Sequence, residues 1–294
     1  MMFSTPPAEP VPGDFLPMQN VAADVLRLDK IHPVISGNKW YKLKYYLQEA
    51  AALKAKTIAT FGGAYSNHIV ATACAARLSG FRSFGVIRGE EPAILSHTLK
   101  NAVDYGMQLH FVSRETYRNK DAVKAIFNNY FWIDEGGFGV KAAMGASEIL
   151  DNVALENYTH IITAAGTGAT FAGIVKKISP QQKAIGISVM KNNFELMEQI
   201  KSLLTNDEQQ KDFELNHDFH FGGYAKKNDE LIHFMNETFV NTGIPLDFVY
   251  TAKAFYAMKA LIAKGTIPEN SKVLFIHTGG LQGNLSLPEG LLKF

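Results

Sequence analysis

The chain has 294 residues, 47% of them hydrophobic and 19% charged, with a net charge of +1 at pH 7. That profile is globular and large enough for one big domain or two modest ones. Its lysines come in pairs such as Lys176-Lys177 and Lys226-Lys227 rather than in a basic stripe, which argues against a nucleic-acid binder. Cys74 is the only cysteine and no apolar run reaches membrane-spanning length, so an internal disulfide and a membrane partner are both excluded. The first residues, Met1 to Pro7, carry no signal-peptide pattern, and a reducing, cytoplasmic setting is expected.

Residues 1 to 20 are proline-rich and read as an extended arm with a partly disordered beginning. Val21 to Leu28 fits one strand or an edge pair. Pro33 and Gly37 bracket a loop, and a helix starts close to Lys39 with Leu43, Tyr46, Leu47 and Ala50 on one face. Thr57 to Phe61 is a β-branched apolar run that ends at Gly62-Gly63. An alanine-rich helix over 67–78 follows, with Cys74 as an inert core residue. Strands are expected at 84–87 and 108–112, separated by a helix over 97–105. Asp134 to Gly139 breaks the pattern and marks a domain crossover. A helix over 142–150 leads to the buried strand 160–165, which opens into Gly166-Thr167-Gly168. A helix with Phe171, Ile174 and Val175 comes next, then a strand at 184–189. Residues 203–220 read as a polar surface helix and loop. Tyr224 sits in a glycine turn, helices span about 228–241 and 251–264, and the strand 273–277 ends at Thr278-Gly279-Gly280.

Alternation of strand and helix at this pitch indicates parallel sheets with helical crossovers. Three strands end in glycine-rich turns, after Phe61, Ala165 and His277. Ligands of open parallel sheets bind beyond the carboxyl ends of the strands. The turn Gly166-Thr167-Gly168-Ala169-Thr170 presents free N–H groups and the positive end of a helix, a natural seat for phosphate. A dinucleotide site is the rival reading. However, Phe171 occupies the position of its third glycine, and the next strand runs into Val189-Met190-Lys191-Asn192 without an acid. Lys39 follows the turn Gly37-Asn38, and Trp40 and Tyr41 can shield it. A desolvated lysine has a lowered pKa and a free amine for imine formation. Ser66-Asn67 opens a helix and can serve either as a cap or as a ligand-facing hydroxyl and amide. Lys39 is thus the candidate to hold pyridoxal phosphate as a Schiff base, with Ser66-Asn67 facing the ring and the second loop cradling the phosphate. The Gly-x-Ser-x-Gly elbow of a serine hydrolase is absent. The nine histidines form no metal-ligand pair, so no metal is expected, and His277 reads as a satisfied core histidine.

The ordered set Gly37-Asn38-Lys39, Gly62-Gly63-Ala64-Tyr65-Ser66-Asn67-His68, Gly166-Thr167-Gly168-Ala169-Thr170, Val249-Tyr250-Thr251 and His277-Thr278-Gly279-Gly280 resembles the 1-aminocyclopropane-1-carboxylate deaminase/D-cysteine desulfhydrase family. The resemblance runs from about Arg27 to Gly280. It implies an α/β chain with two open, mostly parallel twisted sheets and helices on both faces, the tryptophan synthase β-like fold of type II pyridoxal phosphate enzymes. The larger domain is expected from 1–41 and 138–294, and the smaller inserted one from 42–137. By the resemblance Lys39 is the Schiff-base lysine, Asn67 partners the cofactor's phenolic oxygen, and Ser66 lies near the substrate carboxylate. Thr167, Gly168, Ala169 and Thr170 bind the phosphate. Tyr250 and Tyr224 lie by the substrate, and Thr278 contacts the pyridine nitrogen. The family also implies a homodimer.

Where the deaminase carries glutamate and leucine, this chain has Thr251 and Thr278; Tyr65 stands where many relatives have glutamine, and the arm before Lys39 is shortened. A neutral partner at the ring nitrogen leaves a weaker electron sink. Opening a cyclopropane needs a strong sink, whereas expelling a thiol from a β-carbon needs less. The expected reaction is therefore D-cysteine β-elimination to a 2-oxo acid and ammonia, with cyclopropane opening to 2-oxobutyrate second. A nicotinamide-dependent oxidoreductase and a catalytically silent cofactor carrier are the alternatives from other classes.

Overall fold

The computed structural model describes residues 5–18 and 20–294. The proline-rich start is not a free arm where it is described. Ala8–Pro10 (β1) pairs antiparallel with Ala22–Arg27 (β2), and Arg27 ties the two together by an ion pair to Glu9 (2.6 Å) while also pairing with Asp29 (2.7 Å). The expected disordered beginning lies outside the described residues. Next come Lys39–Ala52 (α1), Thr57–Gly62 (β3), Asn67–Leu78 (α2), Arg82–Arg88 (β4), His97–Asp104 (α3) and Met107–Val112 (β5). Arg114–Arg118 (α4), Lys120–Ile126 (α5) and Phe131–Ile133 (β6) follow. The chain then runs through Val140–Ser147 (α6), His160–Ala165 (β7), Ala169–Lys177 (α7), Lys183–Ser188 (β8), Leu196–Lys201 (α8) and Phe213–Asn216 (β9). Asp229–Thr242 (α9), Thr251–Ala263 (α10) and Lys272–His277 (β10) complete it.

These strands form two sheets, of order β1-β2-β10-β7-β8-β9 and β5-β4-β3-β6, and every pair except β1·β2 is parallel. The larger sheet alternates strictly, as a strand's period of two requires. Ile162, Ile185, Val273 and Phe275 point to a core shared with α9 and α10, while Ile161, Ala184, Leu274 and Ile276 point to one shared with α6, α7 and α8. Both faces are thus covered by helices, which is why these strands read as continuous apolar runs.

The four-stranded sheet is built only from residues 57–133 and lies in the chain between β2 and β7 of the larger one. Helix α1 serves both. Its Leu43, Leu47 and Ala50 join Ile58 and Ile133 of the smaller sheet, and Tyr41 and Tyr46 pack against the α6–α7 core of the larger. Cys74 is buried among Leu47, Ala71 and Ala75, the inert environment expected.

Five elements depart from the sequence reading or were not read from it. The polar stretch 203–220 contains β9, an edge strand whose four residues are all only half-buried. Helix α8 buries Leu196 and Ile200 before it, and the unread segment 113–133 holds α4, α5 and the three-residue β6.

Candidate active site

The carboxyl ends of β3, β7 and β10 and the start of α1 converge on one cleft of about 1370 Å³. Lys39, Ser66, Asn67, Thr167, Gly168, Thr170, Tyr224, Tyr250 and Thr278 all line it. Ala169 is the exception: it is fully buried in the first turn of α7, and it can offer a ligand only its backbone.

Lys39 is the first residue of α1, and a close approach fixes where that helix begins. Gly37 has φ of +69°, and a Cβ there would stand 1.8 Å from the carbonyl oxygen of Thr278. The Asn38 N–H donates to the same carbonyl at 3.2 Å. The turn before α1 is thus clamped to the end of β10. Lys39 Nζ donates to Asn38 Oδ1 at 2.7 Å, and Asn38 Nδ2 donates to Thr170 Oγ1 at 2.8 Å. One side-chain amide therefore connects the amine to the second glycine loop. Burial pushes the Lys39 amine down to about 8, and the carboxylate of Asp247 opposes that only in part. Trp40 and Tyr41, expected to shield the amine, pack into hydrophobic clusters and do not line the cleft.

The loop after β7 presents an uncapped helix. Gly168 is the N-cap of α7, left-handed at φ +86°, and no side chain caps the free N–H groups of the first turn. A cation stands beside it that the sequence reading missed. Lys42, one turn after Lys39, is buried and donates to the carbonyl of Gly136 and, at 3.4 Å, to Thr167 Oγ1. Burial, and then the neighbouring Lys39, push its amine well below the usual lysine range. Its spacing of three residues from Lys39 was the available signal, since such pairs share a helix face. His68 is buried close to both. Its Nε2 meets Thr60 Oγ1 at 2.9 Å, its Nδ1 has no partner among the described residues, and burial with Lys42 and Lys39 holds the ring neutral.

Ser66 occupies the N-cap position of α2, yet its hydroxyl caps nothing, so the cap alternative does not account for it. The Oδ1 of Asn67 is buried without a hydrogen-bond partner among the described residues, a state a ligand donor would relieve. Across the cleft, Tyr250 lies against Gly166, where a Cβ would approach the Tyr250 ring to 3.2 Å. Its hydroxyl donates to Tyr224 at 3.5 Å, and burial, then Tyr224, push its pKa well above the usual phenol value.

Thr251 is fully buried and does not line the cleft. Its hydroxyl donates at 2.6 Å to Oδ2 of Asp247, which also accepts from the Thr251 N–H, while Oδ1 accepts from the N–H groups of Val249 and Tyr250. Asp247, also missed in the sequence, thereby caps α10 and has no oxygen left for a ligand. The Thr278 hydroxyl, in contrast, makes no hydrogen bond among the described residues. His277 is the satisfied core histidine expected, donating from Nε2 to the Pro245 carbonyl at 2.8 Å with Asp29 at 3.2 Å on its other nitrogen.

This donor set fits pyridoxal phosphate. An amine with a lowered pKa answers its aldehyde, an uncapped helix end flanked by a buried lysine answers its phosphate, and the amide NH2 of Asn67 is the donor its phenolic oxygen would take. Among the described residues no cluster of histidine, cysteine, aspartate and glutamate could hold a metal, and no helix is long and apolar enough to cross a membrane.

Residues 20–279 match the model of a family described as pyridoxal-phosphate dependent enzymes. A curated protein of Thermotoga maritima, named "Putative 1-aminocyclopropane-1-carboxylate deaminase", is 32% identical over 88% of each chain. The mitochondrial bifunctional D-cysteine desulfhydrase/1-aminocyclopropane-1-carboxylate deaminase of Arabidopsis thaliana is 29% identical over 85% of this chain and 70% of its own. A crystal structure described as an ACC deaminase homologue superposes with a TM-score of 0.81 at 26% identity, covering 96% of this chain and 91% of that one.

Proposed function

This chain belongs to the family of pyridoxal-phosphate dependent enzymes, and we propose that it eliminates sulfide from D-cysteine. It is a pyridoxal-phosphate dependent lyase or deaminase that releases ammonia and a 2-oxo acid from a small amino acid. The proposed reaction takes D-cysteine and water to pyruvate, ammonia and hydrogen sulfide. Opening of 1-aminocyclopropane-1-carboxylate, giving 2-oxobutyrate and ammonia, is the second reading. The nicotinamide alternative falls with the family.

One observation carries the choice. At the β10 edge of the cleft the group free to meet a ring nitrogen is the neutral hydroxyl of Thr278, because Thr251 is turned away and Asp247 has both oxygens committed. No carboxylate stands ready to hold a proton on that nitrogen. The sink is therefore the weaker kind, sufficient for a thiol leaving group.

The residues that would hold the cofactor are Lys39 at its aldehyde, Asn67 at its phenolic oxygen, and Thr278 at its ring nitrogen. Thr167, Gly168, Ala169, Thr170 and Lys42 would hold its phosphate. When bound, the cofactor supplies the electron sink that makes the α-carbon acidic. The chain supplies the proton handling. Lys39, its amine held at about 8, takes the α-proton as general base. Ser66 and the backbone beside it receive the substrate carboxylate. Tyr250, with its pKa pushed well above the usual value, stays protonated and can give its proton to the departing sulfur. Tyr224 supports it from the cleft rim.

We assign residues 1–41 and 138–294 to the larger domain and 42–137 to the smaller, and we carry forward a homodimer in a reducing, cytoplasmic setting. Molar mass by light scattering tests the dimer. The reaction is tested by 2-oxo acid release from D-cysteine and from 1-aminocyclopropane-1-carboxylate, side by side. Pyruvate from D-cysteine alone is the expected result. 2-Oxobutyrate from the cyclopropane at a comparable rate would show that a neutral partner at Thr278 does not forbid ring opening.

A further inference from the structure

Tyr224 is almost unsupported by its own side chain. It is 48% exposed, and its side-chain hydrogen bond and ring pairing among the described residues are both with Tyr250, a hydroxyl at 3.5 Å and a ring at 6.1 Å. Its place must therefore be set by the backbone beneath it. That backbone is strained: Phe221 and Ala225 both adopt positive φ, +50° and +53°, a region non-glycine residues enter at a cost. The turn closes on itself through bonds from Gly222 N–H to His220 Nδ1 at 3.0 Å, Gly223 N–H to the His220 carbonyl at 3.0 Å, and Lys226 N–H to the Gly223 carbonyl at 3.1 Å.

Behind it sits Lys253, fully buried in the first turn of α10, the helix whose N-cap residue is Tyr250. Its Nζ has no carboxylate in contact. It donates to the carbonyls of His220 at 2.9 Å and Gly223 at 2.6 Å, the same two carbonyls that close the turn. Burial pushes its amine down to about 8, which the carboxylate of Asp247 opposes only in part, and a chain that buries such a group gains something specific from its donors. Here both donors go to the loop of one cleft tyrosine, from the helix that carries the other.

We propose that Lys253 is a positioning residue, which holds the 220–226 turn so that Tyr224 meets Tyr250 at the substrate. This rests on the reading of the tyrosine pair as substrate-facing. Lys253 itself does not line the cleft. The Phe221 ring, 5.0 Å from Tyr256 of the same helix, keeps the turn docked on α10 when the ammonium is removed, so the loss is one of position.

The test compares Lys253→Met, Tyr224→Phe and the double variant as cofactor-loaded proteins. Lys253→Met is expected to keep the cofactor's visible absorption and to lower kcat for the amino-acid substrate about tenfold or more, as loss of charge-assisted hydrogen bonds does. In the Tyr224→Phe background the same substitution should cost less than about twofold, since the two act through one group. Amide exchange at Gly222, Gly223 and Lys226, measured with no amino acid present, should quicken about tenfold or more in Lys253→Met. Equal losses in both backgrounds, or unchanged exchange, would overturn the proposal. Exchange decides the matter even if no tested amino acid is turned over, which separates this inference from the substrate reading. Should Lys253→Met fail to fold, Lys253→Gln, which keeps a donor on a shorter arm, carries the same cycle with smaller losses.

Discussion

Two lysines one turn apart on α1 carry opposite duties, and their surroundings separate them. Lys39 opens on the cleft with its amine at about 8, so a fraction is neutral at physiological pH and able to attack an aldehyde. Uptake of pyridoxal phosphate by the apoprotein should therefore quicken as pH rises through about 8 and level off above it, read by stopped-flow absorbance. A rate flat across that range would contradict the account of Lys39. Lys42 lines the same cleft but is bonded to Gly136 and Thr167 beside the uncapped end of α7. Lys42→Met should weaken pyridoxal phosphate binding about tenfold to a hundredfold, the value of a hydrogen bond to a charged group. Binding of unphosphorylated pyridoxal should hardly change. Ser66, Asn67 and the loop after β7 were placed at the cleft from sequence because each sits at a glycine turn after a strand, and Lys39 because it follows the Gly37 turn at a helix start. Lys42 and Lys253 on helices and Asp247 in the loop before α10 were not, because a buried charge looks like any solvated one until the fold closes over it. Thr251 was misleading: read as an altered ring partner, it is a cap partner of Asp247.

At the scale of elements, the site depends on two backbones passing closely. The start of α1 touches the end of β10 through Gly37, with Thr278 O at 1.8 Å from any added Cβ, and nothing there is a flexible side chain that could yield. Gly37→Ala must push Lys39 and Thr278 apart. We expect a loss on the order of 3 kcal/mol in stability, from overpacking together with a strained φ, and weakened cofactor binding, both measurable by denaturation with and without pyridoxal phosphate. Wild-type stability and affinity in this variant would mean that the clamp is not needed. The elements that make the site were readable because β3, β7 and, beyond Lys272, β10 are buried and contain β-branched residues. The elements that were not read lie at sheet edges. Strand β6 has three residues, and β9, Phe-Glu-Leu-Asn, alternates too briefly to stand out from the polar run around it. The short helices α4 and α5 bury little beyond Tyr117 and Val123, too few positions to set a period.

Across the whole molecule, buried cations give stability an unusual dependence on pH. Lys42 and Lys253 have lowered pKa values in the folded chain, Lys253 at about 8, against the ordinary lysine value when unfolded. Between those values the unfolded chain binds more protons, so stability must rise with pH. Cys74 opposes this, because its buried thiol has a raised pKa and stays protonated after the unfolded thiol has ionised, and the tyrosines add to that above about pH 10. The apoprotein should accordingly resist urea better at about pH 9 than at about pH 7.5. A midpoint that falls over that interval would mean the lysines are not buried as described.

The central claim is that Lys39 is where this enzyme holds its cofactor. The most direct measurement is to load the protein with pyridoxal phosphate, fix the bond with borohydride, and map the labelled lysine by mass spectrometry. The account predicts the phosphopyridoxyl group on Lys39 and its loss in Lys39→Ala. Label on Lys42 or elsewhere, or label that persists in that variant, would contradict it.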